Sequence, residues 1–337
     1  MTKQWHRYGI IAAACLAVIV LVWYRGRSGQ SVRTEKKDAH TIGIIVRGET
    51  YRPGVDGFKK KMEELGYAEG QNVSYEIVFV EKREDLPGVV QKMLSHGVDL
   101  IHTYSTPATV EAYRQTKTTP IVFGSMGDPV ASKTIHSLQS SGTNVTGVSS
   151  LSVPLVAKRL EFLVEAVPRV KKVAIPYTAD DIPGKNSYIA ATEAAAALGV
   201  TMVPYLISPE RPVRETAAAI LRRDVDGIVL SSDSATWANL DAYVAQAAKE
   251  GIPFSVFDKD MVVKGGLIGY GPDYFVTGGQ SAVLADKIIR GEAATNIPVE
   301  IPQKFILAIN LDTARAIGII VPQTLLEKAD LIIDSNK

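Results

Sequence analysis

Ile42-Gly43-Ile44-Ile45-Val46 opens a pattern that the chain writes a second time from Val173-Ala174-Ile175. In the first copy this apolar run leads to an amphipathic stretch ending at Leu65-Gly66. A β-rich run follows from Val73 to Val80, then a helical stretch, then Val98-Asp99-Leu100-Ile101 and Pro120-Ile121-Val122-Phe123. The second copy keeps that order. Its helix ends at Leu198-Gly199, and Val200 to Ile207 follows. Another helix, Val225-Asp226-Gly227-Ile228-Val229 and Ile252-Pro253-Phe254-Ser255-Val256 complete it. Continuous apolar strands suit parallel sheets covered on both faces. The expected fold is therefore α/β, with two Rossmann-like βαβαβ lobes in tandem and a cleft between them. Open α/β sheets hold ligands beyond the carboxyl ends of their strands, so two facing edges form a clamp. The pattern reads as a binder of a small molecule and not as an enzyme.

Composition agrees with this class. The 337 residues suffice for two domains, and 46% apolar with 22% charged content is ordinary for globular α/β protein. A formal net charge of +1 gives no nucleic-acid surface. Cys15 is the only cysteine, which excludes an internal disulfide and thiolate chemistry in the folded part. The five histidines show no ligand spacing; His96 and His102 read as helix-end and strand residues. Phosphate-loop, dinucleotide and nucleophile-elbow glycine motifs are absent. No cofactor or metal is expected.

Residues 1–24 read as a signal or transmembrane anchor, because Lys3, His6 and Arg7 precede an uncharged run from Tyr8 to Tyr24. Cleavage, lipidation at Cys15 and retention as an anchor are the alternatives, and each places the globular part outside the cytoplasmic membrane. Residues 25–40 form a polar tether. Lobe one is expected from 41–148 with 266–298, and lobe two from 149–265 with 299–337. The tail beyond Lys264 exceeds a simple duplication, so repeated crossings would make a multi-strand hinge.

Candidate site residues follow the strand ends. Arg47 and Tyr51 come after the first strand. Ser105, Thr106 and Pro107 come after the third, with Thr106 as N-cap and Pro107 at the first helical position. The same residues serve equally as plain caps. Asp128 follows the fourth strand. Lobe two offers Tyr177, Asn186, Asp233, Phe257 and Asp258, and Tyr270 comes from the returning strand. The aromatic members would stack on an apolar or aromatic ligand.

Gly57-Phe58, Glu64-Leu65-Gly66-Tyr67, Glu69-Gly70-Gln71-Asn72-Val73, Thr106-Pro107-Ala108, Asp128-Pro129-Val130 and Asn144-Val145-Thr146-Gly147-Val148, in this order, resemble ABC-transporter substrate-binding proteins of the tryptophan/tyrosine type. Asn186-Ser187, Asp233, Gly291-Glu292 and Asn310-Leu311 extend the resemblance, which spans nearly all of 41–332. It implies a type I periplasmic-binding fold, capture of a small solute such as an amino acid by lobe closure, and delivery to a permease and ATPase. Carried over by position, Ser105, Thr106 and Pro107 would hold a ligand carboxylate, and Asp128, Asp233 and Asp258 an ammonium. Ser232-Asp233-Ser234 departs from the family's usual Thr-Asp-Asn, and Arg47 adds a positive charge. The second expectation is a membrane-tethered sensing domain that signals to a partner protein.

Overall fold

The structure, a computed structural model, describes residues 39–336. The anchor and nearly all of the tether expected for residues 1–40 lie outside the described residues. Among the described residues, no helix is long and apolar enough to cross a membrane.

Lobe one is built on β1 (His40–Val46), β2 (Val73–Phe79), β3 (Leu100–Tyr104), β4 (Ile121–Met126) and β5 (Val145–Ser149). Their order is β2-β1-β3-β4-β5, and every ladder is parallel. Ile42, Ile44, Ile45 and Val46 are fully buried, as a strand covered by helices on both faces requires. Helix Arg52–Glu64 follows β1 with Pro53 in its first turn. It buries Val55, Phe58 and Met62, while Lys60 and Glu63 pair on the exposed face.

Lobe two carries β6 (Lys172–Thr178), β7 (Thr201–Ile207), β8 (Gly227–Val229), β9 (Phe254–Val256), β10 (Ile268–Pro272), β11 (Phe305–Asn310) and β12 (Leu331–Ile333). The order is β12-β11-β10-β9-β8-β6-β7, and the β10–β11 ladder is antiparallel. That reversal marks where the chain has left the lobe and returned.

The expected lobe boundaries need correction here. Residues 266–298 do not all belong to lobe one. Strand β10 pairs in parallel with β9, placing Ile268 beside Ser255 in the lobe-two sheet. Helix Tyr274–Ile289 then packs on helix Arg52–Glu64 of lobe one. Residues 299–301 stay there too: Ser149 N donates to Glu300 O at 2.9 Å, and Glu300 N to Gly147 O at 2.9 Å. The chain thus passes between lobes after β5, after β10 and before β11.

Helices Arg52–Glu64 and Tyr274–Ile289 meet backbone to backbone. A Cβ at Gly278 would fall inside van der Waals distance of the Gly54 carbonyl oxygen, and one at Gly57 would do the same to Phe275 O. Behind them, His102 Nε2 and Ser281 Oγ lie 2.9 Å apart and tie β3 to the returning helix. Burial holds the His102 imidazole down to a pKa of about 3. Replacing an exposed helical glycine by alanine gains about 1 kcal/mol of helix propensity. At Gly278 the new methyl meets backbone that cannot rotate away, and overpacking of about 1–3 kcal/mol offsets and exceeds that gain. Gly278→Ala is therefore expected to lower stability in urea titration, whereas an increase would show that the helices can separate freely.

Candidate functional site

Beyond the strand ends the two lobes face each other across an inner cavity of only ≈ 20 Å³. That is room for about one water. Lobe one supplies Tyr51, Ser105, Thr106 and Ser125, and lobe two supplies Asp181, Ser232, Ser234 and Trp237. Ser150 and Ser152 enter from the first crossing.

Local structure fixes these side chains. Ser105 caps helix Thr106–Gln115 with φ 114, a positive value that only a few per cent of non-glycine residues adopt. Its Oγ accepts from Ala108 N at 3.4 Å. Thr106 Oγ1 accepts from Gly127 N at 3.2 Å, which ties the loop after β3 to the loop after β4. In lobe two, Asp181 caps helix Ile182–Leu198, accepting from Gly184 N at 2.9 Å and from Ser234 Oγ at 3.3 Å. Burial, and then the neighbouring Asp233, push the Asp181 carboxyl up to a pKa of about 6.

Asp233 is fully buried and already engaged. It accepts from Thr178 N at 2.7 Å through one oxygen, and from Ala235 N at 2.7 Å and Thr236 N at 3.1 Å through the other. Asp258 caps Lys259–Val263 through Met261 N at 2.9 Å. Burial raises its carboxyl to about 6.

Among the described residues, two side-chain hydrogen bonds cross the cleft. Asn186 Nδ2 donates to Asp128 Oδ2 at 3.2 Å, and Thr50 Oγ1 reaches Asp258 Oδ2 at 3.5 Å. Behind the cavity lies Arg159, fully buried. It donates to Leu230 O at 3.0 Å and Ser152 O at 3.2 Å, and its guanidinium lies 4.7 Å above the Phe257 ring. Burial lowers its pKa to about 9.

An outer cavity of ≈ 860 Å³ adjoins the first, and Trp237 lines both. Arg47 lies on its wall, with Nε and Nη1 buried and meeting no protein acceptor. Burial, and then Arg83, lower the Arg47 pKa.

The strand-end candidates thus separate into groups. Tyr51, Ser105, Thr106 and Pro107 meet around the inner cavity, and Arg47 lines the outer one. Asp128 and Asn186 form a contact across the lobes. Asp233 and Asp258, expected to serve an ammonium, act as helix caps. Phe257 is buried in a ring cluster with Trp237, at 4.6 Å between centroids. Tyr177 stacks on Tyr188 at 5.1 Å, and Tyr270 packs between Phe162 and Phe305; neither lines either cavity. Side chains alternate across a sheet, so a tyrosine near a strand end faces a covering helix as readily as the cleft. The sequence reading did not single out Asp181 or Trp237 for the site. Asp181 precedes Ile182-Pro183 just after β6, and Trp237 lies one turn beyond Asp233.

Residues 41–333 match the family of ABC transporter substrate binding proteins. The chain belongs to that family. A tyrosine-binding protein of Clostridioides difficile (strain R20291) is 27% identical to this substrate-binding protein over 328 residues, covering 94% of this chain and 93% of the relative. An ABC domain from Streptococcus pneumoniae, solved with L-Trp, superposes with a TM-score of 0.82 at 21% identity over 88% of this chain and 100% of that one. A ligand-free, open substrate-binding protein from Clostridium difficile gives 0.65 at 26% identity, again over 88% and 100%. The type I periplasmic-binding fold expected from sequence is present.

Asp233→Ala removes an acceptor from three backbone N–H groups and leaves them in a dry site. The expected loss is about 2–4 kcal/mol of stability in urea denaturation. Unchanged stability combined with weaker ligand binding would return Asp233 to a ligand-holding role.

Proposed function

We propose that this substrate-binding protein captures an amino acid or related small solute by lobe closure outside the cytoplasmic membrane and delivers it to the permease and ATPase of an importer. The carrying observation is the inner cavity. There one carboxylate, Asp181, forms no ion pair among the described residues and faces a ring of serine and threonine hydroxyls. Asp181 would take the ligand ammonium. Ser105, Thr106, Ser150 and Ser152 would take the carboxylate, aided by the positive end of the dipole of helix Thr106–Gln115. Tyr51 and Trp237 would flank the apolar part. The pairs Asp128–Asn186 and Thr50–Asp258 would latch the closed lobes. The ligands named for the tyrosine-binding relative and for the L-Trp complex support an aromatic amino acid. The higher TM-score to the L-Trp complex than to the open protein supports a closed arrangement of the lobes. Residues 1–24 would hold the protein at the membrane.

The pH dependence follows from Asp181 and Asp258. Both hold their protons to about pH 6 in the fold, against about 3.9 in an unfolded chain. Between those values the native state binds more protons, so their contribution makes the ligand-free protein lose stability as pH rises through that window. A ligand ammonium needs the ionised form of Asp181. Affinity for tyrosine or tryptophan is therefore expected to fall by up to about tenfold from pH 7 to pH 5 as Asp181 gains its proton. Asp181→Asn should weaken binding at pH 7 and flatten the profile. Calorimetric titration of the full chain with each amino acid and its deaminated acid provides the check. Equal affinity for the deaminated acids, with no pH dependence, would remove the ammonium role and this reading of the ligand.

A further inference from the structure

We infer that the outer cavity is the side-chain compartment of the same binding site, and that Arg47 there selects amino acids bearing an anionic group at the far end of an apolar or aromatic side chain. This rests on the proposal that the inner cavity holds the ammonium and carboxylate. The two spaces are adjacent: Trp237 lines both, and the consecutive residues Thr50 and Tyr51 line the outer and the inner one. At ≈ 860 Å³ the outer cavity is of a size used for whole ligands. Phe79, Val80, Leu240, Val244 and Met261 give it apolar walls.

Its charges are unequal in placement. Five charged residues line it: Arg47, Glu49, Glu81, Asp241 and Lys264. Arg47 is the one that is not exposed. Glu49 is turned to Arg52 at 2.7 Å and Asp241 to Arg214 at 2.8 Å, so both acids are engaged by other cations. Glu81 and Lys264 are exposed at the rim. Arg83 adds positive potential at Arg47, and Asp181 and Asp233 each oppose it with a smaller effect. Arg47 therefore lines a space with many apolar neighbours, and its Nε and Nη1 are buried without a protein acceptor. A buried donor left without an acceptor is costly, so such a site rejects a ligand that cannot supply one and favours one that can. Arginine's planar fork matches a carboxylate in particular.

The test compares phenylalanine with 4-carboxyphenylalanine by calorimetric titration of the full chain, as wild type, Arg47→Gln and Arg47→Met. The wild type is expected to bind the carboxylated amino acid at least tenfold more tightly, and both variants to lose that ratio while still binding phenylalanine. The wild-type ratio is read on the native protein, so it stands even where a variant folds poorly. Equal affinities in the wild type, or a preference that survives in a folded Arg47→Gln protein, would overturn the role of Arg47 and leave the amino-acid reading intact. Failure of both ligands to bind the wild type would overturn the two together.

Discussion

The close approach of helices Arg52–Glu64 and Tyr274–Ile289 is the constraint on which the rest of the architecture depends. The chain leaves the lobe-two sheet at Pro272, lays one helix on lobe one, and returns at Phe305. That excursion is stable only if the visiting helix is held firmly. Gly57 and Gly278 lack the side chains that would separate the two backbones, and close-packed interiors tolerate little displacement. With the helix fixed, three short segments join the lobes. Three tethers resist sliding and twisting more than they resist rotation about the line through them. The closure proposed for this protein uses that remaining freedom.

Four aspartates sit near the cleft in nearly the same local setting, after a strand and before a helix or turn. Their fates differ through the donors each meets and the space each faces. Asp233 accepts from three, so its charge is satisfied inside lobe two. Asp128 and Asp258 each divide their oxygens between a local backbone donor and a side chain of the opposite lobe. Asp181 keeps one N–H and one serine hydroxyl, and burial raises its pKa. An anion with this little compensation in a dry site favours a cation from outside. Asp181 is set apart by its place on the wall of the inner cavity, and Asp233 by its three backbone donors.

That distinction explains what was legible in the sequence. The doubled pattern was plain, because apolar runs and glycine stops are local signals: Ile42–Val46 and Gly66 announce their elements without help from the fold. Ser105, Thr106 and Pro107 were legible as a group for the same reason, since a strand end before a capped helix is written in adjacent residues. The cap is Ser105 where Thr106 was expected, which puts Thr106 and Pro107 one position further into the helix. The home of β10 was not, because its pairing with β9 is decided by which strand edge is free after the chain has folded. Tyr177 and Tyr270 read as cleft residues, yet the pleat sends them to other aromatic side chains. Asp181 was hidden because its importance depends on Asp233 and Ser234, more than fifty positions away in sequence.

The size of the inner cavity bears on how a ligand would enter. A space of ≈ 20 Å³ holds about one water and no amino acid. On the proposed reading, the observed arrangement is tighter than the one that would admit a ligand, and entry would require the lobes to part. Parting breaks the Asp128–Asn186 and Thr50–Asp258 contacts. Each has a net value of about 1 kcal/mol, and the second is long at 3.5 Å. Apparent affinity falls with the fraction of molecules that are open. Latches of that strength would lower the open fraction by about tenfold to thirtyfold, a modest penalty that ligand contacts can offset. Stronger latches, such as buried salt bridges in place of these neutral donors, would trap the cleft shut. Weak polar contacts at the edge and a tightly packed helix pair on lobe one thus belong to one arrangement, which would let the lobes part as proposed without the fold yielding.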